Sequence, residues 1–167
     1  MKIEVYVSRY IKKYIEYTHP KPITFKRTNV YAMLFFAQRK FNGGESRTIN
    51  SSRTNLNDVI YIHLSTTQFL YQRMKGKTTL TDYVAFNNIV RDFFYKDFFN
   101  YMDFRLFRKK LVENDNRQIK DIVQDYMTKL CLSDDDILLE TLLRNYRRYR
   151  TDPNIDLYEL IESLVDE

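Results

Sequence analysis

QIKDIVQDYMTKLCLSDDDILLETLLRNYRRYR, residues 118–150, holds two successive apolar stripes at helical spacing, and their reading sets the class of the fold. Ile119, Ile122, Val123, Tyr126, Met127 and Leu130 recur every three or four residues, so one face of a helix carries them all. Leu139, Leu142, Leu143 and Tyr146 repeat the pattern after a brief Cys131-Leu132 connection. Ser133 is placed to cap the second helix, and Asp134, Asp135 and Asp136 suit the positive end of its dipole. With about 100° between successive residues, Arg144, Arg147 and Arg148 fall across this helix from the leucines. They are left to solvent or to a partner.

Working outward, the helical pattern reaches back to Leu80. Thr79 or Thr81 can cap a helix that runs through Val84, Ile89, Val90, Phe93 and Phe94. A second segment, residues 98–111, carries Phe98, Met102, Leu106 and Phe107. It closes on Arg108, Lys109 and Lys110, cations suited to a helix C-terminus. Asn114-Asp115-Asn116 is a polar break. Downstream, Asp152-Pro153 has the form of a further helix start, with Leu157, Leu160, Ile161 and Leu164 on its apolar face.

The first third has another rhythm. Ile3, Val5 and Val7 alternate with polar residues and predict a strand, after which Tyr10, Ile11, Tyr14 and Ile15 take helical spacing. That helix should stop before Pro20 and Pro22, because proline disfavours helical geometry in the residue ahead of it. Ile23 and Phe25 suggest a short extended piece, and Asn29 can cap a helix to about Lys40 with Val30, Met33, Leu34 and Ala37 on its face. Residues 41–57, rich in Gly, Ser and Asn, read as a mobile loop, and Val59 to Leu64 reads as a strand. The expectation is an α+β protein, mostly helical: a small α+β unit over residues 1–78, packed on a helical bundle over residues 79–167, in one compact assembly.

Composition bounds the function. Hydrophobic residues are 44% and charged residues 29% of the 167, an ordinary globular balance. The 14 Tyr and 12 Phe, beside only 3 Gly, 3 Pro and the alanines Ala32, Ala37 and Ala85, have the look of AT-rich coding. Most of these rings are expected in the core, with stacking on bases as the alternative. The longest apolar run, residues 30–37, is far short of the ~20 residues that span a bilayer, and residues 1–7 lack the continuous apolar segment of a secretion signal. An intracellular protein with no membrane role is expected. Cys131 is the sole cysteine, so no intrachain disulfide forms. His19 and His63 are the only histidines and read as structural. Gly43-Gly44 lacks the Lys-Ser/Thr of a phosphate loop, and no nucleophile stands beside a base. We expect no catalysis, no metal and no cofactor.

Charge is unevenly spread. Residues 1–83 carry 14 Lys or Arg against 5 acids, whereas residues 84–167 carry 13 against 17. Residues 151–167 hold six acids and no base, so the chain ahead of them is strongly cationic. Such a surplus favours polyanionic partners through Coulomb attraction and counterion release. Lys12-Lys13 with Lys26-Arg27, and Arg47 with Arg53 on the loop, are further basic groups.

The 118–150 stretch resembles a helix-turn-helix, with Cys131 standing in the turn where that family often has glycine. The resemblance implies nucleic-acid binding, DNA before RNA, with the second helix at the groove. Arg144, Arg147, Arg148 and Arg150 would contact phosphates or guanine edges, Tyr149 would add a phosphate hydrogen bond, and Arg47 and Arg53 would assist. Because Asp134, Asp135 and Asp136 repel phosphate, docking would use the later half of that helix. More loosely, the chain resembles small proteins of bacterial mobile elements and phages. That implies a host-cell cytoplasmic or virion location, and as the alternative function a structural or interaction protein of a phage or mobile element whose basic surface serves an acidic protein or packaged DNA.

Overall fold

The structure, a computed structural model, describes residues 2–19, 22–24, 30–41, 56–66, 80–111 and 117–151. It is a mostly helical α+β protein. The chain forms two compact units. One comprises Met1–Asp97 with Leu130–Leu132, and the other Phe98–Lys129 with Ser133–Glu167.

The first unit contains a three-stranded sheet of order β1-β3-β2. Strand β1 (Lys2–Val7) pairs antiparallel with β3 (Asp58–His63), and β2 (Ile23–Thr24) pairs with β3 in parallel. The register sets Val5 opposite Ile60 and Ile3 opposite Ile62, so the period-two residues share one face. Val5, Val7, Ile23, Ile60 and Ile62 are buried, while Tyr6, Tyr61 and His63 lie on the exposed face. Helix α1 (Arg9–Thr18) buries Ile11, Tyr14 and Ile15 as its spacing predicts. It ends on His19 in extended backbone directly before Pro20, as proline requires.

Helix α2 (Val30–Phe41) forms where expected but turns a different face inward. Tyr31, Ala32, Phe35 and Phe36 are buried, whereas Val30 and Met33 are exposed. The rings decide: Phe35 meets Phe86 at 5.6 Å edge-on and stacks on Tyr83, burying more apolar area than the aliphatic side chains would. The Asn29 cap, Phe25, Lys26, Arg27, the Pro20-Lys21 pair, most of the 41–57 loop with Arg47 and Arg53, the Asn114-Asp115-Asn116 break and the Asp152-Pro153 helix all lie outside the described residues.

Residues 80–111, expected as two segments, are one helix, α3 (Leu80–Leu111). No glycine or proline interrupts it. Asp82, Phe86, Val90, Phe94, Phe98 and Met102 are buried, one every four residues. Each four-residue step advances about 40° beyond a full turn, so the buried ladder winds round the helix and reads in the sequence as two stripes out of phase.

Within the first unit, α3 holds the β1–α1 junction through Asn87. Its Nδ2 donates to the Tyr6 carbonyl at 3.0 Å and the Tyr83 carbonyl at 2.9 Å, while its Oδ1 accepts from the Ser8 N–H at 2.9 Å. Ser8 precedes α1 yet directs its hydroxyl to Asn87 rather than to a helix amide. Asn87→Ala is expected to lower stability by about 1–3 kcal/mol, since it strands part-buried polar groups at Tyr6 and Ser8. Urea unfolding measures this, and an unchanged midpoint would refute the clamp.

The second unit packs the later half of α3 with α4 (Ile119–Lys129) and α5 (Leu139–Thr151). Ile122, Val123, Tyr126 and Met127 of α4 and Leu142, Leu143 and Tyr146 of α5 are buried, with Ile119 exposed at the start of its helix. Phe98 lies at the centre, its ring 5.1 Å from Tyr126 and 6.3 Å from Tyr146. Past the end of α4, Cys131 has φ 53°, the left-handed conformation that the glycine position of its turn anticipates.

Ser133 does not cap α5. Its N–H and its hydroxyl both donate to Asp136 Oδ2, at 2.8 and 2.9 Å, closing a separate turn. Asp134 Oδ1 instead accepts from the Leu139 N–H at 3.2 Å, where α5 begins. Short carboxylates compete for nearby amides, and three in succession favour a turn over an early helix start.

Candidate functional site

Helix α5 is fixed by its tyrosines. The Tyr146 hydroxyl donates to Asp103 Oδ1 at 2.6 Å and the Tyr149 hydroxyl to Asp103 Oδ2 at 3.0 Å. The Tyr149 ring also stacks on Phe99, with centroids 4.3 Å apart. Burial, reinforced by the charge of Asp103, pushes the Tyr149 phenol up to about 12 and raises that of Tyr146 still further, against the opposing charge of Arg150. Both therefore stay protonated and donate to the one carboxylate.

Tyr149, expected as a phosphate donor, directs its hydroxyl to Asp103 here and its ring is half-buried. Arg144, Arg147, Arg148 and Arg150 are exposed. The guanidinium groups of Arg144, Arg147 and Arg148 have no hydrogen bond or ion pair among the described residues, and the three span about 100° of helix circumference opposite Tyr146. Glu140 is exposed one turn before Arg144, and Asp134 and Asp135 are exposed beyond the helix start. The anionic approach is therefore at the N-terminal end of α5 and the cationic one at its C-terminal end.

Other expected cations are already engaged. Lys12 donates to Asp58 at 2.9 Å, with Arg9 at 3.4 Å, and the Lys12 hydrogen bond holds the Asp58 carboxyl below its ordinary value. Lys13 donates to the Cys131 carbonyl at 2.7 Å. In the second unit Arg105 and Arg117 share Asp125, at 3.7 and 3.6 Å, and Lys109 donates to the Arg117 carbonyl. Arg108 and Lys110 are exposed at the end of α3.

Sequence reasoning missed Asp103, although the signal was present: a single acid amid the rings and aliphatics of residues 98–107. Of the apolar residues named in that segment, Phe98 and Met102 are buried, whereas Phe107 is exposed. His19 packs edge-on against Tyr31 and His63 is on the exposed face of the sheet. Among the described residues no group of three His, Cys, Asp or Glu side chains gathers as a metal site, and no helix is long and apolar enough to cross a membrane. Comparison of the chain with protein-family models, curated proteins and solved structures finds no match.

Proposed function

We propose that the protein is a non-catalytic nucleic-acid-binding accessory or regulatory protein that contacts DNA through α5. The observation that carries this reading is the set of three exposed guanidinium groups, Arg144, Arg147 and Arg148, unpaired among the described residues, on a helix anchored to Asp103 by two tyrosine hydroxyls. Guanidinium forks suit phosphate oxygens and guanine edges, and an anchored helix loses little freedom on docking. In this reading α4 and α5 act as a helix-turn-helix-like pair that docks by the C-terminal half of α5, since Asp134, Asp135 and Glu140 repel phosphate at the other end. The exposed acids beside the arginines favour, as a second reading, a structural or interaction protein whose partner presents charges of both signs.

A salt-titrated shift assay with duplex and single-stranded probes tests the proposal. Replacing Arg144, Arg147 and Arg148 with Ala should leave the fold intact, because surface changes shift stability by only about 0.5 kcal/mol each. Affinity should fall, and the slope of log affinity against log salt should flatten by up to about 0.9 for each lost contact with duplex phosphate. A triple variant that binds like the parent, with an unchanged slope, removes α5 as the site and gives the lead to the interaction reading.

A further inference from the structure

Among the described phenylalanines Phe104 and Phe107 are the most exposed, with Phe93 next at 39%. Phe35, Phe86, Phe94 and Phe98 are fully buried, while Phe104 is 54% and Phe107 47% exposed. Spacing of three sets the two rings on one side of α3, about 60° apart. The Arg108 guanidinium lies over the Phe104 ring, 5.9 Å from its centroid, and Lys110 is exposed three residues beyond Phe107. No acid occurs between residues 104 and 111. The C-terminal dipole of α3 offsets only about half a charge, so among the described residues of this helix end the exposed Arg108 and Lys110 leave a positive surplus.

We propose that this end of α3 is a stacking platform for single-stranded nucleic acid, with Phe104 and Phe107 receiving bases and Arg108 and Lys110 receiving phosphates. An uncharged apolar partner would bury the rings but strand the cations beside it, whereas a strand of nucleotides supplies a π-face and a negative charge at every step. A duplex keeps its base faces stacked inside, so the platform selects the single-stranded form. The inference rests on the nucleic-acid reading above and adds to the α5 contact a second surface, for single-stranded segments. Helix α5 is anchored on the same stretch of α3, at Asp103, the residue before Phe104.

The test uses the full chain and three probes: labelled oligo-dT, a deoxyribose-phosphate chain of equal length without bases, and a duplex. The parent should bind oligo-dT at least about tenfold tighter than the abasic chain. The double variant F104A/F107A should lose that preference while keeping its salt slope. F104L/F107L, which keeps apolar bulk but removes the π-faces, should do the same and guards against a folding artefact. Equal binding of both chains by the parent, or a preference that survives both variants, overturns the platform alone. No binding of any probe at low salt overturns the nucleic-acid reading together with it. A dimer that dissociates in F104A/F107A during sedimentation assigns the rings to a self-interface and also overturns the platform.

Discussion

Phe98→Ala lowers the stability of the second unit by about 3–5 kcal/mol, the cost of deleting a buried phenyl ring from packing that collapses only partly around the void. Phe98 is fully buried and touches both Tyr126 of α4 and Tyr146 of α5, so its loss loosens three helices together. Set against the ~5–15 kcal/mol that stabilises an ordinary domain, this is a large share. Urea unfolding followed by circular dichroism should show the midpoint fall steeply. A midpoint within error of the parent's would mean that Phe98 is not the centre of that packing.

Alkaline pH should unfold the protein cooperatively. In the unfolded chain the tyrosines ionise near 10, whereas in the fold burial pushes Tyr10 up to about 12, and burial with Asp103 does the same to Tyr149. The unfolded state therefore releases protons first. The sign follows from linkage: these groups contribute stability that is complete below pH 10 and is lost as the pH rises towards 12. Tyr146 and Tyr31 are raised in the same direction and add to the effect. Helical ellipticity should be lost together with the last part of the tyrosinate absorbance, that of the buried rings, in one step for the parent. In Y10F/Y149F the step should move to higher pH, because the replaced rings no longer release a proton on unfolding. Ellipticity that persists while every tyrosine ionises near pH 10 would show that the buried hydroxyls have no such linkage.

The strands and α1 were legible because each is governed by a local rule. Period two placed Val5 and Val7 on the core face, and Pro20 stopped α1 after Thr18. The pairing of β2 was not legible, since Ile23 and Thr24 are too short for periodicity and their parallel register with β3 is set by tertiary packing. In α2 the aliphatic stripe at Val30 and Met33 was outweighed by the rings of Tyr31, Phe35 and Phe36, a choice made by partners distant in sequence such as Phe86. Ser133 and Asp136 show local chemistry misjudged: both residues were noticed, but they satisfy each other rather than the helix. The exposure of Arg144, Arg147 and Arg148 could be read from helical geometry alone, whereas the capture of Tyr149 required knowing that Asp103 lies beside it.

The four-residue ladder of α3 also constrains how this gene can drift. One codon gained between Val90 and Phe94 would turn every later rung by about 100°, bringing Asp97 and Tyr101 to the positions of Phe98 and Met102; one codon lost would bring Phe99 and Asp103 there instead. Either frame-preserving change drives a carboxylate into an apolar interior, at a cost far above that of any point substitution on the surface. Related chains should therefore keep the spacing between Asp82 and Met102 fixed to the residue and place their length variation elsewhere.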